Sequence, residues 1–67
     1  MELKPHQQRV VAEKSELDER IGKLDAFVLS DEFADLVGFD EMCRMINQLH
    51  VMKQVSAILG ERIAAFC

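Results

Sequence analysis

An arginine set in an apolar stripe is the residue of this chain best placed for chemistry. Arg62 follows Val55 and Ile58 at helical spacing and is succeeded by Ile63 and Ala65. A guanidinium in such surroundings is costly unless it meets a partner. The partner is an acid (Glu61, Glu2 or a carboxylate of another subunit), water reached by snorkelling, or a phosphate, which planar bidentate donors suit. Lys14 stands at a position that the hydrophobic periodicity reserves for core. It reads as a register device, as a lysine reaching water at a bundle end, or as a ligand group. Ser56 occupies a similar position and reads as a small residue that lets helices approach, bonded to its own preceding turn. His6 and His50 have no nucleophile or carboxylate constellation around them, and no triad, paired-carboxylate motif or Gly-rich phosphate loop is present. Cys43 and Cys67 have no Cys or His at ligand spacing, so they read as free thiols. The expectation is therefore a non-enzyme with no cofactor and no metal.

Three segments must position these residues. The first, Pro5 to about Leu29, opens with proline, which suits the first turn of a helix. Val10, Lys14, Leu17, Ile21, Leu24 and Val28 step by four and three, the spacing of a heptad seam. Its other face carries Glu13, Glu16, Asp18, Glu19, Arg20, Lys23 and Asp25 as a solvated surface, with Glu16 and Arg20 spaced for an ion pair. The middle, Ser30 to Glu41, holds five acids and no base. It reads as a connector with one brief helical turn through Phe33 and Leu36, capped by Ser30 and closed by Gly38 in the left-handed conformation. Asp40 reads as the N-cap of the last helix, Glu41 to about Phe66, with Glu41 at its positive end.

The last segment carries two apolar lines. Met42, Met45, Leu49, Met52, Ser56, Leu59, Ile63 and Phe66 form its seam. Val51, Val55, Ile58 and Ala65, with Arg62 among them, form a second line alongside. Gly60 falls inside the pattern and permits a close contact. Two long helices and a short connector predict an all-α fold: one domain, residues 1–67, an antiparallel helical hairpin. One seam per helix closes a hairpin, so the second line is left over. It either covers the middle helix or joins hairpins into a helical bundle. The oligomer reading makes Val51, Val55, Ile58, Leu59 and Ile63 the interface.

Size and charge narrow the classes. At 67 residues and a net charge of −4, one small domain fits, an enclosed enzymatic cleft does not, and the acidity argues against DNA. A chain this short calls for a staple such as self-association. No apolar run reaches the length of a membrane span, and the polar start lacks a signal-type core, so a cytoplasmic, non-membrane protein is expected. The negative total hides a polarity. Residues 42–67 carry Arg44, Lys53 and Arg62 against Glu61, and a hairpin brings Lys4, His6 and Arg9 to the same end as Arg62.

The stretch Pro5-His6-Gln7-Gln8-Arg9-Val10-Val11, then Glu13-Lys14 and Leu17, and the ending from Ile58 to Phe66 resemble a group of small phage helical-hairpin proteins catalogued as crAss-phage-related. That group is similar to the hairpin domain of phage anti-CBASS and anti-Thoeris sponges. The resemblance implies a homo-oligomer, commonly a hexamer. It also implies an antidefence sponge in the cytoplasm of the infected bacterium. Such sponges sequester cyclic di- or trinucleotides or cyclic ADP-ribose-type signals without cleaving them. The sponges resemble this chain in an arginine six positions after a small residue, matched by Ser56 and Arg62, although the small residue there is a glycine. By that resemblance Arg62 contacts phosphates where subunits meet. The sponges' dinucleotide pocket uses a tyrosine, which this chain lacks, leaving Lys4, Arg9 or Lys14 to hold a phosphate. A structural or adaptor hairpin that binds a protein through Val51, Val55 and Ile58 is the competing expectation.

Overall fold

The computed structural model describes residues 2–66; Cys67 lies outside the described residues. Three helices follow in order, α1 over Pro5–Val28, α2 over Phe33–Val37 and α3 over Phe39–Ala64. Helices of 24 and 26 residues are about 36 and 39 Å long at 1.5 Å per residue. Packed side by side they make a rod, 49 × 14 × 14 Å.

The direction of packing follows from three pairings. Asp25 meets Lys53, Asp18 meets Ser56, and Lys14 lies against Gly60. Numbers fall along α1 as they rise along α3, so the helices are antiparallel, as the two seams require. Every seam position faces inward: Val10, Leu49, Ser56 and Leu59 are buried, and the remaining seam residues, Met42, Met45 and Met52 among them, are half-buried. Two helices alone cannot enclose a side chain fully, and among the described residues no large one is completely removed from water.

The helix ends depart from expectation in instructive ways. Pro5 opens α1 as predicted, and the Gln7 carboxamide oxygen accepts the Lys4 N–H at 2.9 Å. Ser30 does not cap α2: its hydroxyl donates backward to the Phe27 carbonyl at 2.8 Å, and its N–H donates to the same oxygen at 3.0 Å. Ser30 is still finishing α1, whose last carbonyls need donors, and α2 begins from Glu32 instead. Nor does Asp40 cap α3. Gly38 takes that position, one residue earlier, and its carbonyl accepts the Met42 N–H at 3.0 Å. Asp40 and Glu41 sit in the first turn, where their charges still favour the helix N-terminus. Gly38 has φ 77° and ψ 165°. The positive φ was expected, but this ψ lies outside the left-handed helical region, in a part of the map that essentially only glycine enters.

The connector is anchored by one side chain. Phe33 is buried and meets Phe27 edge to face, ring centroids 5.3 Å apart at 76°. Burial of a phenylalanine contributes about 1.5–3 kcal/mol, enough to hold five helical residues against the rod. Leu29, Leu36 and Phe39 remain largely exposed.

Candidate functional site

The seam contains one polar cluster. Lys14 Nζ donates to Asp18 Oδ2 at 2.8 Å and to Ser56 Oγ at 2.9 Å, and the Ser56 hydroxyl donates to Asp18 Oδ1. The three groups thus close a ring that spans both helices. Lys14 and Asp18 are four apart on α1, which sets their spacing, and the antiparallel register delivers Ser56 between them. Ser56 is 8% exposed. Its expected bond to its own preceding turn is replaced by two bonds across the seam. Asp18, assigned to the solvated face, leans inward instead, and Asp25 does the same toward Lys53 Nζ at 3.4 Å. The Lys14 hydrogen bond, then the Ser56 hydrogen bond and the Lys14 charge hold the Asp18 carboxyl below the usual carboxylate range. Glu16 and Arg20 are not among the ion pairs of the described residues; Glu19 pairs with Lys23 and Glu41 with Arg44 instead.

These pairings mark one flank of the rod and reveal what occupies the other. At 3.6 residues per turn each residue advances about 100°. Lys14, Asp18 and Asp25 of α1 and Lys53 and Gly60 of α3 lie to one side of the seam. Val51, Val55, Ile58 and Arg62 of α3 lie to the other, joined there by Arg9, Glu13, Glu16, Arg20 and Lys23 of α1. The middle helix does not cover the second apolar line: Val51, Val55 and Ile58 are 47%, 40% and 55% exposed. Leu59 and Ile63, expected in the oligomer interface, belong to the hairpin's own seam, Leu59 buried and Ile63 half-buried. They lie on the inward face because the seam and the second line diverge by roughly a quarter to a third of a turn around α3.

The candidate ligand residues therefore separate. Arg62 and Arg9 are exposed on the flank of the apolar line, at the same end of the rod, and His6 lies at that end beside the seam. Lys4 is exposed at that end too, in extended backbone just before α1. Lys14 and Ser56 are held in the seam by Asp18 and by one another. Neither arginine makes an ion pair among the described residues, so Glu61 and Glu2 are not the partners of Arg62 there. No cavity opens among the described residues, and no group of three or more His, Cys, Asp or Glu is gathered there for a metal. Cys43 is exposed and unbonded. Among the described residues no helix is long and apolar enough to cross a membrane.

The cross-seam role of Asp18 was missed in the sequence. A signal existed: Asp18 stands four residues after a lysine at a core position, which is where a counter-charge for that lysine belongs.

Nothing among curated proteins and nothing among solved structures matches the chain. A family model, Sequestin, matches residues 4–65, which takes in all three helices, Arg9 and Arg62, and the polar ring of the seam. The chain belongs to the Sequestin family.

Proposed function

We propose that this protein is a phage antidefence sponge: it binds a cyclic oligonucleotide or a cyclic ADP-ribose-type immune signal and holds it without cleaving it, which keeps CBASS or Thoeris effectors inactive. The family's name speaks of sequestering, and the resemblance of both chain ends to small phage hairpin proteins, a group itself similar to the sponges, points to the same ligand class. One observation carries the reading furthest. Arg62 stands exposed, without an ion-pair partner among the described residues, four residues beyond Ile58 on a line of apolar side chains that nothing covers. An apolar strip beside a free guanidinium offers what a base and its phosphate need. The described residues of a single rod leave no cavity to enclose such a ligand, so the site forms where copies of the chain meet, as in a homo-oligomer such as a hexamer. Arg62 is the principal phosphate donor and Arg9 the second, with Lys4 adding positive field at the same end and His6 a further polar side chain there. Lys14 and Ser56 serve the seam.

The test is thermal shift of the purified protein against cyclic di- and trinucleotides and cyclic ADP-ribose isomers, followed by recovery of the ligand after denaturation. Stabilisation by at least one member, released chemically intact, is expected. Arg62→Ala should remove that stabilisation and leave the assembly and helicity unchanged. A folded protein stabilised by none of them overturns the proposal. The uncovered Val51, Val55 and Ile58 line, which needs no arginine, would then favour an adaptor hairpin for a protein partner.

A further inference from the structure

We propose that a second copy of this chain docks on the flank of Val51, Val55, Ile58 and Arg62, turned end for end about a two-fold axis that passes near Val55. The inference rests on the self-association included in the proposed function and adds its geometry. Two rods stacked flank to flank can be related by an axis along the rods or by one across them. An axis along the rods keeps them parallel and lays each α3 over the other copy's α1. The apolar line would then face Glu13, Glu16, Arg20 and Lys23. An axis across the rods lays α3 on α3 and α1 on α1, so that apolar line meets apolar line.

Charge selects the same arrangement. Along the α1 flank two acids, Glu13 and Glu16, are followed by two bases, Arg20 and Lys23. Two such flanks in antiparallel order place the acids of one copy beside the bases of the other; in parallel order each charged α1 flank would lie over the apolar line of α3 and its charges would find no complement. The connectors, each with five acids and no base, are kept at opposite ends. The flank is about 36 Å long and two helices wide, roughly 700 Å², near the roughly 800 Å² per partner that stable interfaces bury. In this geometry Val55 meets its own mate, and Arg62 lies opposite the uncharged Gln48 of the second copy. The two Arg62 side chains stand about 20 Å apart along the rods. A pair thus holds two separate anion sites, and larger assemblies are built from pairs.

Cysteine cross-linking in a Cys43→Ser, Cys67→Ser background tests the orientation. Val55→Cys alone should oxidise to a covalent dimer. Gln48→Cys and Arg62→Cys should each stay uncrosslinked alone and cross-link when mixed. Sedimentation of the unmodified chain should show an even-numbered species. Glu13→Lys with Glu16→Lys should weaken association about tenfold, and adding Arg20→Glu and Lys23→Glu should restore it. Arg62→Cys or Gln48→Cys self-linking as readily as Val55→Cys would be incompatible with an antiparallel register centred on Val55 and would overturn the proposal. So would a monomer, or a dimer in which Val55→Cys fails to link. The ligand reading fails separately: the expected cross-links without any cyclic-nucleotide stabilisation would sink the sponge and leave this geometry standing.

Discussion

Gly60 lies against the stem of Lys14: a methyl group at Gly60 would stand 3.3 Å from Lys14 Cε. The lysine can cross the seam there because α3 presents no side chain in its path. Gly22, in the middle of α1, has nothing within 4 Å of the same point. Both glycines cost helix stability relative to alanine, by about 0.5–1 kcal/mol. Gly22→Ala should therefore raise the melting temperature by a few degrees, at about 4–8 °C per kcal/mol for a domain near this size. Gly60→Ala should gain less, because Lys14 must shift while its ammonium is tied to Asp18 and Ser56. Thermal melts of the two variants side by side check the order; equal gains would mean that Lys14 yields freely.

The Lys14, Asp18 and Ser56 ring makes the seam a test of polar specificity. Ser56→Ala alone should destabilise by about 0.5–1.5 kcal/mol, since it removes one donor and one acceptor from groups that remain. Lys14→Leu alone leaves Asp18 facing Ser56 without its cation and should also cost stability. The double variant, Lys14→Leu with Ser56→Ala, should cost less than the sum of the two, because an apolar seam has no polar group left to satisfy. A denaturation cycle over the four proteins measures the coupling. Strict additivity would mean that the ring bonds are not formed in solution.

Acid should loosen the hairpin through the same ring. Asp18 is held below its ordinary value by the Lys14 hydrogen bond first and by Ser56 second. A carboxylate depressed in the folded state contributes stability that is fully present above its unfolded value, near 3.9, and is lost as pH falls through the folded value. Midpoints of unfolding measured from pH 7 to pH 2 should fall below about pH 4. Asp18→Asn should start lower and flatten that acid limb. An unchanged limb would mean that Asp18 does not produce it.

Gly38 should be intolerant of substitution. At φ 77° and ψ 165° a side chain is strained whatever space surrounds it. Gly38→Ala should cost about 1–3 kcal/mol, although nothing lies within 4 Å of the added carbon. Chemical denaturation should show the loss with helix content retained; no loss would mean that the connector re-forms with a different turn.

The architecture was legible because it is periodic. Steps of three and four in both long segments, with apolar residues on the steps, determine two helices, their inward faces and their closure into a hairpin. The same count isolates Val51, Val55, Ile58 and Arg62 as a line that one hairpin cannot cover. Ends were less legible: Ser30 and Asp40 are both good caps in isolation, and which residue caps depends on where the preceding helix stops. Partners across the seam were barely legible, the spacing of Asp18 from Lys14 being the one signal. Asp18 reads as one acid among several on a solvated face, and Leu59 and Ile63 read equally well as interface or core.

By itself, then, the sequence determined the elements, the hairpin and the existence of an unpartnered arginine-bearing line, since helical phase is a local property. Only the tertiary structure decided how the polar residues divide. Antiparallel register brings Ser56 to Lys14 and Asp18, where the three tie one another across the seam, while Arg62 and Arg9 stand on the opposite flank. Register is a relation between residues about forty positions apart, such as Lys14 and Ser56, where the bond spans 42 positions, and no local pattern encodes it.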